Sequence, residues 1–158
     1  MSPVIFDGSN KLYGTTVAGG DLNCQGGIGC GVVYELSPPV KEGASWAYSA
    51  LYAFQGGNDG IAPTGSTVFD GAGNLYGTTQ VGGGPTEAGT VYQLKRPTRN
   101  GGVWTETVLH AFTDSYGDGA LPDGGVTWGK WHDLYGATEE GGSACQAPGC
   151  GTAFEVRP

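Results

Sequence analysis

Hydrophobic residues occur along the chain in short runs, many of them alternating with polar residues, and turn dipeptides such as Asp-Gly, Gly-Asn and Pro-Pro separate the runs. A period of two is the pattern of a β-strand with one buried face, and these dipeptides are typical of tight turns. The longest stretch without glycine or proline is 14 residues, Val103 to Tyr116. The pattern predicts an all-β protein and excludes a helical bundle. It also excludes a transmembrane helix, which needs about 20 consecutive apolar residues.

One pattern occurs three times, centred on a Leu-Tyr-Gly sequence that contains Tyr13, Tyr76 or Tyr135. A Gly-Gly pair follows each copy, and a further short strand comes after it. In the first two copies another strand ends in Ala-Phe, at Phe54 and Phe112. The third copy lacks this outer strand. The copies divide the chain into repeat 1 (about 1–54), repeat 2 (about 55–112) and repeat 3 (about 113–158).

Each complete repeat predicts four antiparallel strands, which in repeat 2 cover roughly 65–70, 74–80, 89–94 and 104–112. A four-stranded unit that recurs along a chain is typical of a β-propeller blade. A β-sandwich is the alternative, but nothing in a sandwich requires one motif to occur three times. The fold class we expect is therefore all-β, with residues 1–158 forming one propeller segment of three blades and about eleven strands.

Three blades do not close a ring, because propellers usually have about four to eight. A three-bladed arc would expose two apolar blade faces and an open strand edge, both of which favour association. We therefore expect a homodimer that closes a six-bladed propeller, with its two-fold axis along the propeller axis. The alternative is that the chain is a fragment of a longer propeller, and both interpretations can hold together.

The motif Asp-x-x-Gly-Asn-Leu-Tyr-Gly-Thr-Thr, followed by Gly-Gly and then Gly-Thr-Val-Tyr, resembles the GloVer tandem repeat of bacterial surface and secreted proteins. The resemblance covers essentially all of the chain, although repeat 3 has Gly129 in place of the aspartate and Ala137 in place of the first threonine. It implies a propeller in an extracellular, cell-surface or periplasmic parent protein, and it implies no particular chemistry. The first residues of this chain show no signal peptide, because they lack a basic segment and a long apolar segment.

The chain is acidic, with 15 Asp and Glu against 7 Lys and Arg and a net charge of −8. This balance disfavours nucleic acid and anionic membranes as partners, since both need a basic surface. It is compatible with cation binding or with a small polar or cationic ligand.

Assigning each loop to one side of the predicted propeller places eight acids and no base on one face. Clustered carboxylates and loop carbonyls suit Ca²⁺ above other divalent metals. The candidate metal ligands are Asp59, Asp118 and Asp123, which lie where the chain enters the innermost strand of a repeat. The alternative is that the Asp-Gly pairs are simply turns. The eight acids are Asp21, Asp59, Glu87, Asp114, Asp118, Asp123, Glu139 and Glu140.

The four cysteines form two close pairs in equivalent loops, and two local disulfides, Cys24–Cys30 and Cys145–Cys150, are the interpretation we favour. Disulfides fit an oxidising compartment. A zinc site would require the two pairs to meet in space, and the spacing within each pair, five and four intervening residues, is wider than in most zinc sites.

Two functions of different classes fit these observations. The first is a non-catalytic binding module with an acidic, cation-binding face at the channel mouth. The second is a metal-dependent hydrolase of lactones or phosphotriesters, in which a bound metal polarises the substrate oxygen. A weaker candidate is a ligand platform formed by Trp131, His132 and Asp133, for which a variant turn is the alternative. No catalytic residue is assigned.

Overall fold

The computed structural model describes residues 3–99, 101–115, 117–143, 146 and 148–158. Within these residues the regular structure consists of β-strands and two short 3₁₀ turns, Gln25–Gly27 and Gly57–Asp59, which confirms the all-β prediction. The strands are β1 (Ile5–Phe6), β2 (Leu12–Thr16), β3 (Val32–Ser37), β4 (Ala47–Ala53), β5 (Ile61–Phe69), β6 (Leu75–Val81), β7 (Thr90–Lys95), β8 (Thr105–Ala111), β9 (Gly119–Ala120), β10 (Val126–Trp128), β11 (Leu134–Ala137), β12 (Glu140–Gly141) and β13 (Ala153–Val156).

The described strands form four small antiparallel sheets, and none of them closes on itself. Repeat 1 forms the sheet β1-β2-β3-β4, and repeat 2 forms the sheet β5-β6-β7-β8 in the same order. Repeat 3 forms the three-stranded sheet β10-β11-β13 and the two-stranded ribbon β9-β12. The ribbon repeats the start of the β5-β6 pair, so β9 and β10 together occupy the positions of β5.

The first strand of repeat 2 begins four residues earlier than the sequence pattern predicts, at Ile61 instead of residue 65. Pro63 lies inside it, and this is tolerated because β5 is the edge strand of its sheet and needs no ladder hydrogen bond there. The register shifts between Thr64 and Val68, at a bulge that includes Gly65 with φ +69°. A Cβ at Gly65 would overlap the backbone of repeat 3, because Ser66 forms a parallel bridge with Gly125.

The three repeats pack face to face in the order of the sequence, with a hydrophobic cluster between each neighbouring pair. The cluster between repeats 1 and 2 is centred on Phe54 and Tyr92, whose rings meet edge-on with centroids 5.1 Å apart. The cluster between repeats 2 and 3 repeats this contact with Phe112 and Phe154, also at 5.1 Å. Each fully buried large apolar side chain stabilises the fold by about 1.5–3 kcal/mol, so these two junctions hold the repeats together.

The glycine of each Leu-Tyr-Gly motif lies under an aromatic ring. Gly14 pairs across the ladder with Tyr34, Gly77 pairs with Tyr92, and Gly136 pairs with Phe154. A Cβ at Gly77 would lie 2.6 Å from the hydroxyl oxygen of Tyr92, and one at Gly14 would meet Tyr34 in the same way. The motif therefore needs glycine because the neighbouring strand places an aromatic ring over that position.

The described residues contain no helix that is long and apolar enough to span a membrane.

Candidate functional site

Asp123 lies in a cleft of about 610 Å³ between the three repeats. Repeat 1 contributes Thr15, Thr16 and their neighbours to the wall, and Thr64 and Gly65 of repeat 2 lie beside the segment that contains Asp123. Asp123 is exposed, and its carboxylate makes no hydrogen bond or ion pair with the described part of the chain. Among the described residues that line the cleft, it is also the one that is ionisable. The cleft is thus a threonine-rich space with one unengaged negative charge.

Asp59 and Asp118 lie at two equivalent turns, and the chain itself uses their carboxylates. Asp59 accepts hydrogen bonds from the Gln55 backbone N–H at 2.6 Å and from the Tyr52 hydroxyl at 2.8 Å. Asp118 accepts hydrogen bonds from the backbone N–H and side chain of Thr113, both at 2.9 Å, and it pairs with His110 at 3.2 Å. Both aspartates therefore hold the chain reversal that leads into the next repeat.

The environments of these two turns shift the pKa values of their aspartates in opposite directions. Burial raises the pKa of Asp59 above its usual value, although the bonds from Gln55 and Tyr52 oppose this effect. Burial acts in the same direction on Asp118, but hydrogen bonds from Thr113, Gly119 and His110 outweigh it and lower that pKa.

The structure does not bring the three predicted metal ligands into one cluster. Among the residues it describes, no group of three or more His, Cys, Asp or Glu side chains is arranged to hold a metal ion. The oxygens of Asp59 and Asp118 are occupied by turn donors, whereas those of Asp123 are available. The metal prediction therefore stays a prediction, and within a single chain it depends on Asp123.

The predicted platform of Trp131, His132 and Asp133 lies in the hairpin between β10 and β11. Asp133 is buried and accepts a 2.8 Å bond from the Arg157 side chain, so its carboxylate is held inside. Trp131 is exposed with the Lys130 ammonium 5.2 Å from its ring centroid, and His132 adopts a left-handed φ of 63° at the turn. The hairpin thus offers Trp131 to solvent but not Asp133.

Cys24 and Cys30 form a disulfide with Cα atoms 5.5 Å apart, which confirms that prediction. Both cysteines belong to the hydrophobic cluster between repeats 1 and 2, so the bond supports a buried junction as well as a loop. The predicted Cys145–Cys150 bond involves Cys145, which lies outside the described residues, and it stays a prediction.

Sequence reasoning missed Glu106, a half-buried carboxyl on β8 whose Oε1 atom is buried without a hydrogen-bond partner among the described residues. Burial and the nearby Asp59 raise the pKa of Glu106 to about 7. Tyr48 takes the same position in repeat 1, so the pattern of the repeat gives no indication that an acid belongs there. The one sequence signal for a buried acid is that repeat 2 has Glu at a position where repeat 1 has an aromatic residue.

A second concave surface lies away from this cleft, under the hairpins of repeats 1 and 2. It is a groove of about 370 Å³, lined by Asp7, Tyr13, Asp70, Arg96 and Trp104 among others. The Tyr13 hydroxyl donates a 2.8 Å bond to Glu35, whose other oxygen pairs with Lys11. The two acids that line the groove, Asp7 and Asp70, also accept hydrogen bonds from backbone N–H groups of their own hairpins. The groove therefore offers fewer unengaged polar atoms than its composition indicates.

Comparison with protein families gives a match over residues 1–158 to the repeat described as the Gloeobacter/Verrucomicrobia repeat. No curated protein and no solved structure matches the chain. The family match agrees with the threefold motif and with the recurrence of the same strand order in repeats 1 and 2. The chain therefore belongs to the Gloeobacter/Verrucomicrobia repeat family.

Proposed function

We propose that this chain is a non-catalytic binding module, a propeller segment whose central cleft holds a small cationic ligand, with Ca²⁺ the first choice. The observation that carries the proposal is the unengaged Asp123 carboxylate in a cleft of about 610 Å³. This volume lies within the usual range for ligand sites, about 300–1,000 Å³. Threonine side chains in the wall add oxygen atoms of the kind that hard cations prefer.

The packing of the repeats supports the propeller part of the proposal. Three sheets stack face to face in sequence order, and the cleft lies between the end of β2 in repeat 1, β5 in repeat 2 and the residues just before β10 in repeat 3. The bridge between Ser66 and Gly125 is parallel, as expected for the innermost strands of neighbouring blades. Two copies would then make a ring of six blades, within the usual range of about four to eight.

Closure by two copies also bears on the ligand. Calcium takes about six to eight oxygen ligands, more than one aspartate and its neighbouring threonines supply comfortably. In a two-fold ring the cleft would receive Asp123 from both copies, which gives two carboxylates around one space. The binding module and the homodimer are therefore parts of one proposal.

Calcium titration tests the site. At a hundredfold excess over its dissociation constant a ligand adds about 2.7 kcal/mol, so we expect CaCl₂ to raise the melting temperature by about 5–10 °C. Asp123→Asn should abolish the rise and the calorimetric binding signal. Glu139→Gln, which removes an exposed loop carboxylate, should keep both. If NaCl at matched ionic strength stabilises equally, the effect is screening and the cation site is wrong.

The metal-dependent hydrolase stays a prediction, and no described residue favours it over binding. Its chemistry would need a metal at Asp123 to polarise a lactone or phosphotriester oxygen. Chromogenic lactones, esters and phosphotriesters, each assayed with and without EDTA, decide between the two functions. Turnover that EDTA and Asp123→Asn both abolish would replace the binding module with the enzyme.

We also propose that the parent protein works outside the cytoplasm. The Cys24–Cys30 disulfide is compatible with an extracellular or periplasmic location. Thiol titration of protein taken from its native host checks this directly, because a reduced Cys24–Cys30 pair there would argue against export.

A further inference from the structure

Both junctions between repeats contain the same aromatic contact, made by the tyrosine of the Leu-Tyr-Gly motif. Tyr13 meets Phe69 of repeat 2 edge-on, with ring centroids 4.9 Å apart. Tyr76 meets Trp128 of repeat 3 with the same geometry and the same 4.9 Å separation. The two tyrosines are only 5% and 3% exposed, so each is buried by the repeat that follows it.

In repeat 3 no following repeat among the described residues covers this tyrosine. Tyr135 occupies the position of Tyr13 and Tyr76, yet it is 37% exposed. Ala153 beside it is also exposed, whereas Val33 and Val91 are fully buried at the same position in the other repeats. A hydrogen bond with Glu155 raises the pKa of Tyr135, and Glu35 likewise holds the hydroxyl of Tyr13. The hydroxyl of Tyr135 thus bonds to the same strand position as that of Tyr13, although Gly129 replaces the aspartate that bonds to Tyr13 and Tyr76.

Repeat 1 presents the other half of the same contact. Phe6 occupies the position of Phe69 and Trp128, but its side chain is 61% exposed. Trp46 is exposed too, although its counterpart Trp104 packs against the cluster between repeats 1 and 2. Tyr48, two residues further along β4, extends this exposed aromatic surface. The chain thus exposes the tyrosine side of this contact at repeat 3, through Tyr135, and the aromatic side that receives a tyrosine (the acceptor half) at repeat 1, through Phe6.

We propose that a second copy of this chain docks head to tail on these surfaces, with Tyr135 of one copy against Phe6 of the other. The argument is one of continuity, because the new contact repeats the two junctions inside the chain, Tyr13 on Phe69 and Tyr76 on Trp128. An isologous contact would place one Phe6 surface against another, so neither would receive a tyrosine ring, and Tyr135 of both copies would stay uncovered. The inference rests on the two-copy assembly proposed above and deepens it by naming the contact surfaces.

Sedimentation velocity and site-specific photocrosslinking test the contact together. We expect a species of about 32 kDa, twice the 16.1 kDa of one chain. With p-benzoylphenylalanine in place of Phe6, irradiation should join that position to the peptide that contains Tyr135 of another copy. Phe6→Asp and Tyr135→Asp should each raise the dissociation constant at least about 30-fold, as expected for aromatic residues at the centre of an interface. Tyr135→Phe should keep association within about threefold of the parent chain.

Val103→Asp is the matched control, because Val103 is an exposed apolar residue on repeat 2 that belongs to neither end surface. Near-ultraviolet circular dichroism of every variant checks that the fold is intact, and both end residues are exposed enough for substitution to leave the fold unchanged.

A chain that stays monomeric at high concentration, or a crosslink between two copies of position 6, overturns the contact. A larger assembly with the expected crosslink supports the contact but overturns the closed two-copy ring. Loss of calcium binding with the contact intact would remove only the proposed function.

Discussion

At the scale of single residues, packing explains why the repeat motif contains tyrosine and glycine. The tyrosine of Leu-Tyr-Gly reaches across to the next repeat, and the glycine after it leaves room for an aromatic ring on the neighbouring strand. Tyr92, the ring over Gly77, is fully buried. The next repeat therefore determines the tyrosine of the motif, and the aromatic ring on the neighbouring strand determines the glycine.

Gly77→Ala should therefore destabilise the protein by about 1–3 kcal/mol, the usual cost of overpacking a core. The added methyl group would meet the hydroxyl and ring of Tyr92, which has no space to retreat. Urea unfolding measures the change. Gly71→Ala is the control, because a Cβ at this hairpin glycine meets nothing within 4 Å. Equal stability of the two variants would mean that the ring does not occupy the position above Gly77.

Glu106 predicts an unusual pH dependence of stability. Burial and the neighbouring Asp59 raise its folded pKa from 4.5 to about 7. Between these pH values the folded protein holds a proton that the unfolded chain releases, so the free energy of unfolding falls as pH rises from about 4.5 to 7. Melting temperatures across this range should decline for the parent chain and decline less for Glu106→Gln. A Glu106→Gln profile parallel to that of the parent would assign the decline to other groups.

At the scale of elements, the turn into each new repeat is fixed by one aspartate. Asp59 bonds to Tyr52 and Asp118 pairs with His110, which takes the tyrosine's position on the preceding strand. Each aspartate also accepts a backbone N–H from the residue that follows the terminal Phe of that strand. The sequence left two interpretations for these residues, turn or metal ligand; the observed bonds show that both take part in turns, and the metal interpretation stays a prediction.

The Cys24–Cys30 disulfide also acts at the scale of elements, because it closes a short loop that packs against the junction between repeats 1 and 2. Replacing both cysteines with alanine should cost about 2–3 kcal/mol in the chain-entropy account of such a loop. Further loss should come from packing, because Cys30 is fully buried and Cys24 lies against Gly56 at the next turn. Denaturant unfolding of the double variant measures the sum. Unchanged stability would mean that the junction repacks without the sulfur atoms.

At the scale of the whole molecule, coverage differs from repeat to repeat. Repeat 2 has a neighbour on both faces, whereas repeats 1 and 3 each have one face uncovered in a single chain. Local opening follows such differences, because regions with fewer buried contacts exchange their amide hydrogens more readily. Strands β6 and β7 should therefore be the slowest to exchange.

Hydrogen exchange at two protein concentrations tests this gradient. In dilute solution we expect β13 to exchange well before β7, since β13 is an edge strand with an exposed side. At high concentration its protection should rise if a second copy covers Tyr135. Uniform protection in the dilute sample would contradict the gradient.

The strand order of this structure was predictable from the sequence, whereas features that depend on an edge strand or on contacts between distant residues were not. The Leu-Tyr-Gly motif predicted the strand order, because the same residues must pack in the same way in every copy. The start of β5 was missed because Pro63 reads as a strand breaker, although an edge strand accepts it. Glu106 was missed because its neighbour Asp59 lies far from it in the sequence, and no spacing in the repeat indicates that the two carboxyl groups approach each other. The position of Asp123 in a cleft was inferred from its place at the start of the inner strand, but its isolation from Asp59 and Asp118 depends on turn hydrogen bonds that no spacing indicates.

The aromatic contact between repeats has a consequence for how such chains evolve. Repeat 2 carries an acceptor half, Phe69, and a tyrosine half, Tyr76, so it fits a neighbour on either side. Tandem duplication of such a unit inserts a copy that already matches both of its new neighbours. A single duplication of this kind would therefore add a repeat without requiring a new interface.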